Sequence, residues 1–328
     1  METLLLDPDD VTESASMAGI IDAVEGAFAA DARGDTQMPA KSYIDLPQHD
    51  GDFRSMPAYI DAGDWEAAGV KWVNSHPGNP DRHDLPTVMG TMVYSDPATA
   101  FPLALLDGTT LTRLRTGAAA AVATRYLARE DATSLGLVGA GVQSYSQLEA
   151  VAEVRDIETV VVADRDPEAI AALRERYDNA YDVREGTVDE AAACDVVSTT
   201  TPVREPIVTG VGEHTHVNAM GADAEGKHEV ADSVLADAKL VIDDYDQCTH
   251  SGEINVPWSE GVLDDDDVHA ELAEVVAGEK AGRGADDGVT VFDSTGLAIQ
   301  DVAAAHVVYE RARETGVGTD FALVGTDT

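Results

Sequence analysis

The stretch Ser134-Leu135-Gly136-Leu137-Val138-Gly139-Ala140-Gly141-Val142-Gln143-Ser144 constrains the fold of this chain more than any other. Leu135, Leu137 and Val138 form a short apolar run that predicts a buried strand. The run leads into a Gly-x-Gly turn, and a helix-like segment, Gln143–Glu153, follows. Strand, glycine turn and helix in that order are the context of a dinucleotide fingerprint. Gly139 permits the tight turn, and Gly141 has no side chain to hold a pyrophosphate away from the backbone. The helix N-terminus would offer free N–H groups and a partial positive charge. Ser144 replaces the third glycine of the full pattern, so the turn is only one part of the argument.

A second β-rich run, Val160-Val161-Val162-Ala163-Asp164, ends in an acid at the place where such folds bind the adenosine ribose. A carboxylate there accepts hydrogen bonds from the ribose hydroxyls, which selects NAD and repels the extra phosphate of NADP. Arg165 beside it leaves NADP use open, because a guanidinium can accommodate that phosphate.

The chain has 328 residues, long for one compact core, so two domains are expected. No apolar run approaches the roughly 18 residues that cross a bilayer. The start, Met1-Glu2-Thr3-Leu4, lacks a basic region ahead of its apolar residues, and a soluble, cytoplasmic protein is the expectation. Cys194 and Cys248 are too few for a disulfide framework and have no metal-ligand spacing. Lys and Arg number 21 against 62 acids, a formal net charge of −41. Nucleic acid and anionic membranes are therefore excluded as partners. Acids scattered along the whole chain suit a cytoplasm full of salt, and a halophilic source is expected.

Along the chain, Asp10–Ala30 carries Met17, Ile20, Ile21, Val24 and Phe28 at helical spacing, predicting a helix of two or three turns. From Gln37 to Tyr94 short β-like runs predict hairpin-connected strands, with turns at His49-Asp50-Gly51-Asp52 and Ser95-Asp96-Pro97. Phe101–Gly108 predicts one more strand, and Leu111–Ala128 a helix leading to the glycine turn. Past Asp164 the texture is α/β alternation, with a helix over Pro167–Arg176 and strands at Asp195–Thr200, His216–Met220, Lys239–Asp243 and Gly288–Asp293. Leu297–Thr315 predicts a closing helix that returns to the first domain. The run Asp264-Asp265-Asp266-Asp267 reads as a solvated loop or helix start. His214 and His216 would share a strand face, with no carboxylate or cysteine at ligand spacing, so no metal site is expected. His76, between Ser75 and Pro77, reads as a turn residue.

Nucleotide binding of this kind predicts hydride transfer, and the first part of the chain must then supply the substrate site. Lys71 is one of only five lysines and lies within the apolar strand Gly-Val-Lys-Trp-Val. A lysine buried there would carry a shifted pKa and a chemical task; the alternative is the solvent face of an alternating strand. Arg54 in Phe53-Arg54-Ser55-Met56-Pro57 and Arg115 in Leu114-Arg115-Thr116-Gly117 are cations that suit a carboxylate substrate, since a guanidinium grips a carboxylate with two parallel bonds. Surface ion pairing is the alternative for each.

These stretches, with Lys71-Trp72-Val73-Asn74-Ser75-His76-Pro77-Gly78-Asn79-Pro80, Asn218-Ala219-Met220-Gly221-Ala222-Asp223 and Phe292-Asp293-Ser294-Thr295-Gly296-Leu297-Ala298-Ile299-Gln300-Asp301, resemble the ornithine cyclodeaminase/μ-crystallin family over nearly the whole chain. Within it the likeness is to the archaeal alanine dehydrogenases. The resemblance implies an α/β fold: a Rossmann-type doubly wound NAD-binding domain over 116–300, and an α+β domain over 1–115 and 301–328 that binds substrate and pairs with its copy in a homodimer. By motif position it implies that Lys41 and Arg115 hold the substrate carboxylate, that Lys71 polarises or protonates the carbonyl or imine, and that Asp223 assists proton transfer. Val142, Gln143, Asp164, Thr201, Met220, Gly221, Lys227 and Ser294 would line the cofactor, and Thr87 would contact cofactor or substrate. Ornithine cyclodeaminases of the family carry a glutamate where Arg54 stands; an arginine would repel a distal amine and could help anchor a small 2-oxo acid. The implied activity is NAD-dependent oxidation of L-alanine to pyruvate and ammonia. Ornithine cyclodeamination, NAD(P)H-dependent ketimine reduction and a non-enzymatic binding role are the alternatives.

Overall fold

The computed structural model describes residues 1–325. Two compact units emerge, Met1–Arg115 with Leu297–Thr328, and Thr116–Gly296. The division falls inside one helix, Gly108–Leu127. Of the tail expected in the substrate domain, 326–328 lie outside the described residues.

The first unit is built on a sheet of β1 (Thr3–Leu6), β2 (Thr36–Gln37), β3 (Ser42–Leu46), β4 (Gly51–Asp61), β5 (Glu66–Ser75), β6 (Gly90–Ser95) and β7 (Pro102–Asp107), with a short C-terminal strand, Thr319–Phe321. The order is Thr319–Phe321, β1, β7, β6, β5, β4, β2, with β3 also on β4. Only the β1–β7 pairing is parallel; the rest are antiparallel. One face alternates inward as Met56, Ala58 and Ile60 on β4, Ala67, Lys71 and Val73 on β5, and Met92 and Tyr94 on β6. The helices Met17–Ala32 and Ala298–Thr315 cover that face and pack on one another.

The N-terminal helical segment differs from its sequence reading. It is two helices, Pro8–Ser14 and Met17–Ala32, because Ala15 and Ser16 are extended and the Ser16 side chain accepts the Gly19 N–H at 3.3 Å. A serine offered as an N-cap restarts the helix there. The turn expected at His49–Asp52 is a 3₁₀ turn, Pro47–His49, closed by Asp50 at φ 52°, and β4 already begins at Gly51.

The second unit is a Rossmann-type doubly wound sheet. Its strands are β8 (Ser134–Val138), β9 (Thr159–Ala163), β10 (Asp182–Glu185), β11 (Val196–Thr199), β12 (His216–Ala219), β13 (Lys239–Ile242), β14 (Val268–Glu271) and β15 (Thr290–Asp293). They run in the order β10-β9-β8-β11-β12-β15-β13-β14, and every pairing is parallel. Two apolar clusters serve it, one with Leu137, Leu148, Val162 and Leu173, the other with Val197, Val217, Val234 and Val291. Chain order reverses between β8 and β11, which makes the carboxyl ends of those strands the switch point where such sheets bind ligands.

Candidate active site

Parallel strands bring their carboxyl ends to one edge, and the second unit's candidate residues collect there. Gly139 follows β8 with φ 104°, and a Cβ would sit 3.0 Å from Thr200 Oγ1, so glycine is required twice over. A Cβ on Gly141 would meet nothing within 4 Å, which leaves the space a pyrophosphate needs. Gly141 is also the N-cap of the Val142–Ala152 helix and no side chain caps that helix start. Its first-turn N–H groups suit an anion. Val142 is 71% exposed at the turn, and Gln143 is half-buried beside it. Ser144, in place of the third glycine, is buried and donates from Oγ to Gly141 O at 2.6 Å.

Asp164 directly follows β9 and does more than its sequence position implied. Oδ2 accepts the Ala140 N–H at 2.6 Å and Oδ1 the Asp166 N–H at 2.8 Å, so the carboxylate braces the glycine turn. Each oxygen keeps a further lone pair for a ribose hydroxyl. Arg165 is exposed beside it.

Thr201 follows β11, and Met220 and Gly221 follow β12. Between them stands Glu229, a buried residue that motif reading missed. Its Oε1 accepts Thr201 N–H at 2.6 Å and Thr201 Oγ1–H at 2.7 Å; its Oε2 accepts Thr199 Oγ1–H at 2.7 Å and Gly221 N–H at 3.0 Å. Burial pushes its pKa up and the hydrogen bonds oppose that. Asp223 and Lys227 form an ion pair four residues apart, and Lys227 also reaches Gly221 O at 3.5 Å. Ser294, after β15, donates to Asp243 Oδ2 at 2.8 Å. These residues fit a bound dinucleotide: a glycine turn with open space, an uncapped helix start, an acid at the second strand and hydroxyls at the switch point.

A cavity of about 680 Å³ opens at the opposite, amino-terminal edge of this sheet, lined by Arg125, Arg129, Arg155 and Arg283 among others. Arg155 and Arg283 donate there to backbone carbonyls, among them Thr124, Ala128 and Leu127 at the end of the Gly108–Leu127 helix. Their placement is structural, tying down the carbonyls at the end of that helix. His214 is exposed and precedes β12, so it shares no strand face with the buried His216. Burial pushes His216 down to about 3, which leaves it neutral. Among the described residues no group of His, Cys, Asp and Glu is arranged to hold a metal ion.

In the first unit Lys71 faces inward between Met56 of β4 and Met92 of β6, its partners in register. It is 1% exposed. Its Nζ donates to Asp301 Oδ1 at 2.7 Å and Thr112 Oγ1 at 3.1 Å. The same Asp301 oxygen accepts Arg115 Nε–H at 3.1 Å, and Arg115 Nη1 donates to Gln300 Oε1 at 3.1 Å. Burial lowers Lys71 to about 7; Asp301 opposes that, while Arg115 and Lys41 push the same way as burial. Lys71 and Arg115 thus share one fully buried carboxylate, and Lys41 lies near enough to act on Lys71. Cations exceed anions at this spot in a chain of charge −41.

Arg54 shares the inward face of β4, two residues before Met56. Its guanidinium grips Asp52 at 2.9 and 3.1 Å and lies 5.5 Å from the Tyr43 ring centroid. Thr87 is half-buried; its carbonyl accepts the His76 N–H at 2.8 Å, and His76 sits just past β5. Asp301, Gln300 and Thr112 carried no role in the sequence reading. A carboxylate about 230 residues from its lysine leaves no local signal.

The model of the ornithine cyclodeaminase/mu-crystallin family matches residues 1–316. An alanine dehydrogenase of Archaeoglobus fulgidus is 48% identical over 322 residues, 97% of this chain and 98% of that protein. A Δ1-pyrroline-2-carboxylate reductase of Bacillus cereus is 38% identical over 260 residues, 77% of this chain and 80% of that protein. A solved archaeal alanine dehydrogenase dimer with bound NAD superposes with a TM-score of 0.93 at 47% identity, covering 99% of this chain and all (100%) of that one. The chain belongs to the ornithine cyclodeaminase/mu-crystallin family.

Proposed function

We propose that this enzyme is an NAD-dependent alanine dehydrogenase, interconverting L-alanine and water with pyruvate and ammonia. The observation that carries this reading is the buried pair Lys71 and Arg115 on a single aspartate, with Lys41 as a further cation near Lys71, in a chain otherwise dominated by acids. Such an excess of positive charge suits a small carboxylate substrate. NAD, when bound, supplies the acceptor for the hydride of the amino acid's α-carbon. Gly139, Gly141, Val142, Gln143, Asp164, Thr201, Met220, Gly221, Lys227 and Ser294 would hold it. The unblocked space at Gly141 and the uncapped helix start support that assignment.

Arg115 and Lys41 would fix the substrate carboxylate, which removes rotational freedom at the reacting carbon. Lys71, with a pKa near 7, is poised to accept a proton as the amine is oxidised to the imine and to give it back as the imine is reduced. Asp223 would shuttle the proton of the water that adds to the imine. Thr87 would border the substrate. Arg54 is already gripped by Asp52, so its part would be to keep a cation on this face, against a distal ammonium group. A dimer is proposed as well. The outer face of the first unit's sheet presents Ile44 (52% exposed) and Trp72 (43%), with Phe53 stacked on Trp72 at 5.1 Å and Val70, Val93, Leu105 and Leu5 half-exposed beside them.

Reduction of a cyclic imino acid is the second reading, favoured by the likeness to the Bacillus reductase: a held carboxylate and a buried proton donor serve that reaction too, without ammonia. One experiment separates the readings: NADH oxidation near pH 8 in multimolar KCl with pyruvate and ammonium, with 1-pyrroline-2-carboxylate, and NAD reaction with ornithine. NADH loss that requires both pyruvate and ammonium is expected. Turnover of the cyclic imine alone, or proline from ornithine alone, would overturn the alanine assignment.

A further inference from the structure

Lys71 Nζ has three substituent positions beyond its carbon, and the fold occupies two of them. Thr112 sits one helical turn after Gly108 in the Gly108–Leu127 helix and donates its own hydroxyl hydrogen to Gly108 O at 2.7 Å. Its oxygen therefore meets Lys71 as an acceptor. Asp301, on the Ala298–Thr315 helix, can only accept while ionised. Two N–H bonds of Lys71 are thereby directed, one along 2.7 Å to Asp301 and one along 3.1 Å to Thr112. The third position carries a hydrogen when the amine is charged and a lone pair when it is neutral. In either state it points the same way, because the same two acceptors fix the nitrogen.

We infer that Asp301 and Thr112 are positioning residues that hold two hydrogens of Lys71 and present its third position to the substrate, Asp301 also holding the charge balance against Arg115. The inference rests on the reading of Lys71 as the proton-transfer group. Asp301 spends one oxygen, Oδ1, on both cations, and its buried Oδ2 has no protein partner among the described residues. Its charge is thus directed at Lys71 and Arg115 rather than dispersed among other donors. The charged groups near Lys71 are Asp301 from the closing helix, Arg115 from the Gly108–Leu127 helix and Lys41 ahead of β3; the flanking strands offer Met56 and Met92 in register. Asp301 is the one anion in that set, so its removal leaves a like-charge environment that disfavours the ammonium.

The chain's five lysines make a direct test practical: 13C labelling at lysine Cε gives few signals, and Lys71→Arg identifies the one that disappears. The full-length protein is titrated by NMR, with and without NADH, in parallel with pH–rate profiles. In Asp301→Asn the Lys71 midpoint is expected to fall by about one pH unit or more, the matching limb of the rate profile moving with it. Asp301→Glu, which keeps the charge, should return the midpoint toward its original value. Thr112→Val should reduce kcat by about tenfold with the midpoint moved far less, and Thr112→Ser should recover the rate. An unmoved Lys71 midpoint in Asp301→Asn overturns the inference, as does full kcat in Thr112→Val. The NMR titration needs no substrate, so a wild-type protein inert toward every candidate substrate counts against the proposed function while the midpoints still decide the charge role of Asp301.

Discussion

Lys71 owes its chemistry to the two-residue period of its strand. Ala67, Lys71 and Val73 point inward while Trp72 points out, so the ammonium lies among Met56 and Met92 and away from water. Desolvation alone would make it a neutral amine; Asp301 keeps the two protonation states close in energy near pH 7. Lys71→Met is expected to lower turnover by about 10²–10⁴-fold while NADH binding, read by fluorescence, stays near the wild-type level. A stability signature follows as well. The folded pKa, about 7, lies below the unfolded value near 10.5. Below the lower value both states hold the proton, and the charged amine is buried at a cost. Between the two values the folded state has released it and the unfolded chain has not, so stability should rise with pH across that window. Chemical denaturation from pH 7.5 to pH 10 checks this, and Lys71→Met should flatten the slope.

At the scale of elements, glycines decide how closely the second unit's layers approach. A Cβ on Gly136 in β8 would lie 2.0 Å from Ala191 O, a backbone atom of the Val188–Ala192 helix with no flexible way to yield. A Cβ on Gly117 would lie 2.4 Å from Ser146 O, so the Gly108–Leu127 and Val142–Ala152 helices touch at backbone distance. Gly136→Ala should therefore destabilise the unit by about 1–3 kcal/mol, seen as a lowered denaturant midpoint with an unchanged slope. Glu229 works at this scale too. One buried carboxylate ties the segment after β11 to the segment after β12, fixing Thr201 and Gly221 against each other.

For the molecule as a whole, the charge of −41 governs solution behaviour. At 1 M salt the screening length is about 3 Å, against about 10 Å at 0.1 M. Carboxylates that tolerate one another in the first condition repel in the second. Dialysis from multimolar KCl to 0.1 M should cost both helical circular dichroism and activity; full retention of both would refute the halophilic reading. The outer sheet face of the first unit makes a second prediction. Trp72→Asp should turn a dimer into a monomer by light scattering at high salt, because it places a charge at the middle of an apolar patch.

Local patterns determined much of this protein from the sequence alone. Apolar alternation and the Gly139–Gly141 turn specify a strand, a tight loop and a helix within a dozen residues, and repetition of that unit yields a doubly wound sheet. The break at Ala15–Ser16 was available to the same logic, since Ser16 is a good N-cap, yet helical spacing across it suggested one continuous element. Residue type also drew notice to Lys71, a rare lysine in an apolar run. What the sequence withheld was partnership. Whether that lysine faced water or the core depended on which side of the sheet the closing helix would cover, and its counter-ion, Asp301, comes from that helix. Glu229, likewise, is an ordinary glutamate in the sequence and becomes a brace only where parallel strands set Thr199, Thr201 and Gly221 side by side. Periodicity is written within a few residues of chain, so sequence determines it. The pairing of buried charges arises between segments far apart in the chain, so only the tertiary structure decides it.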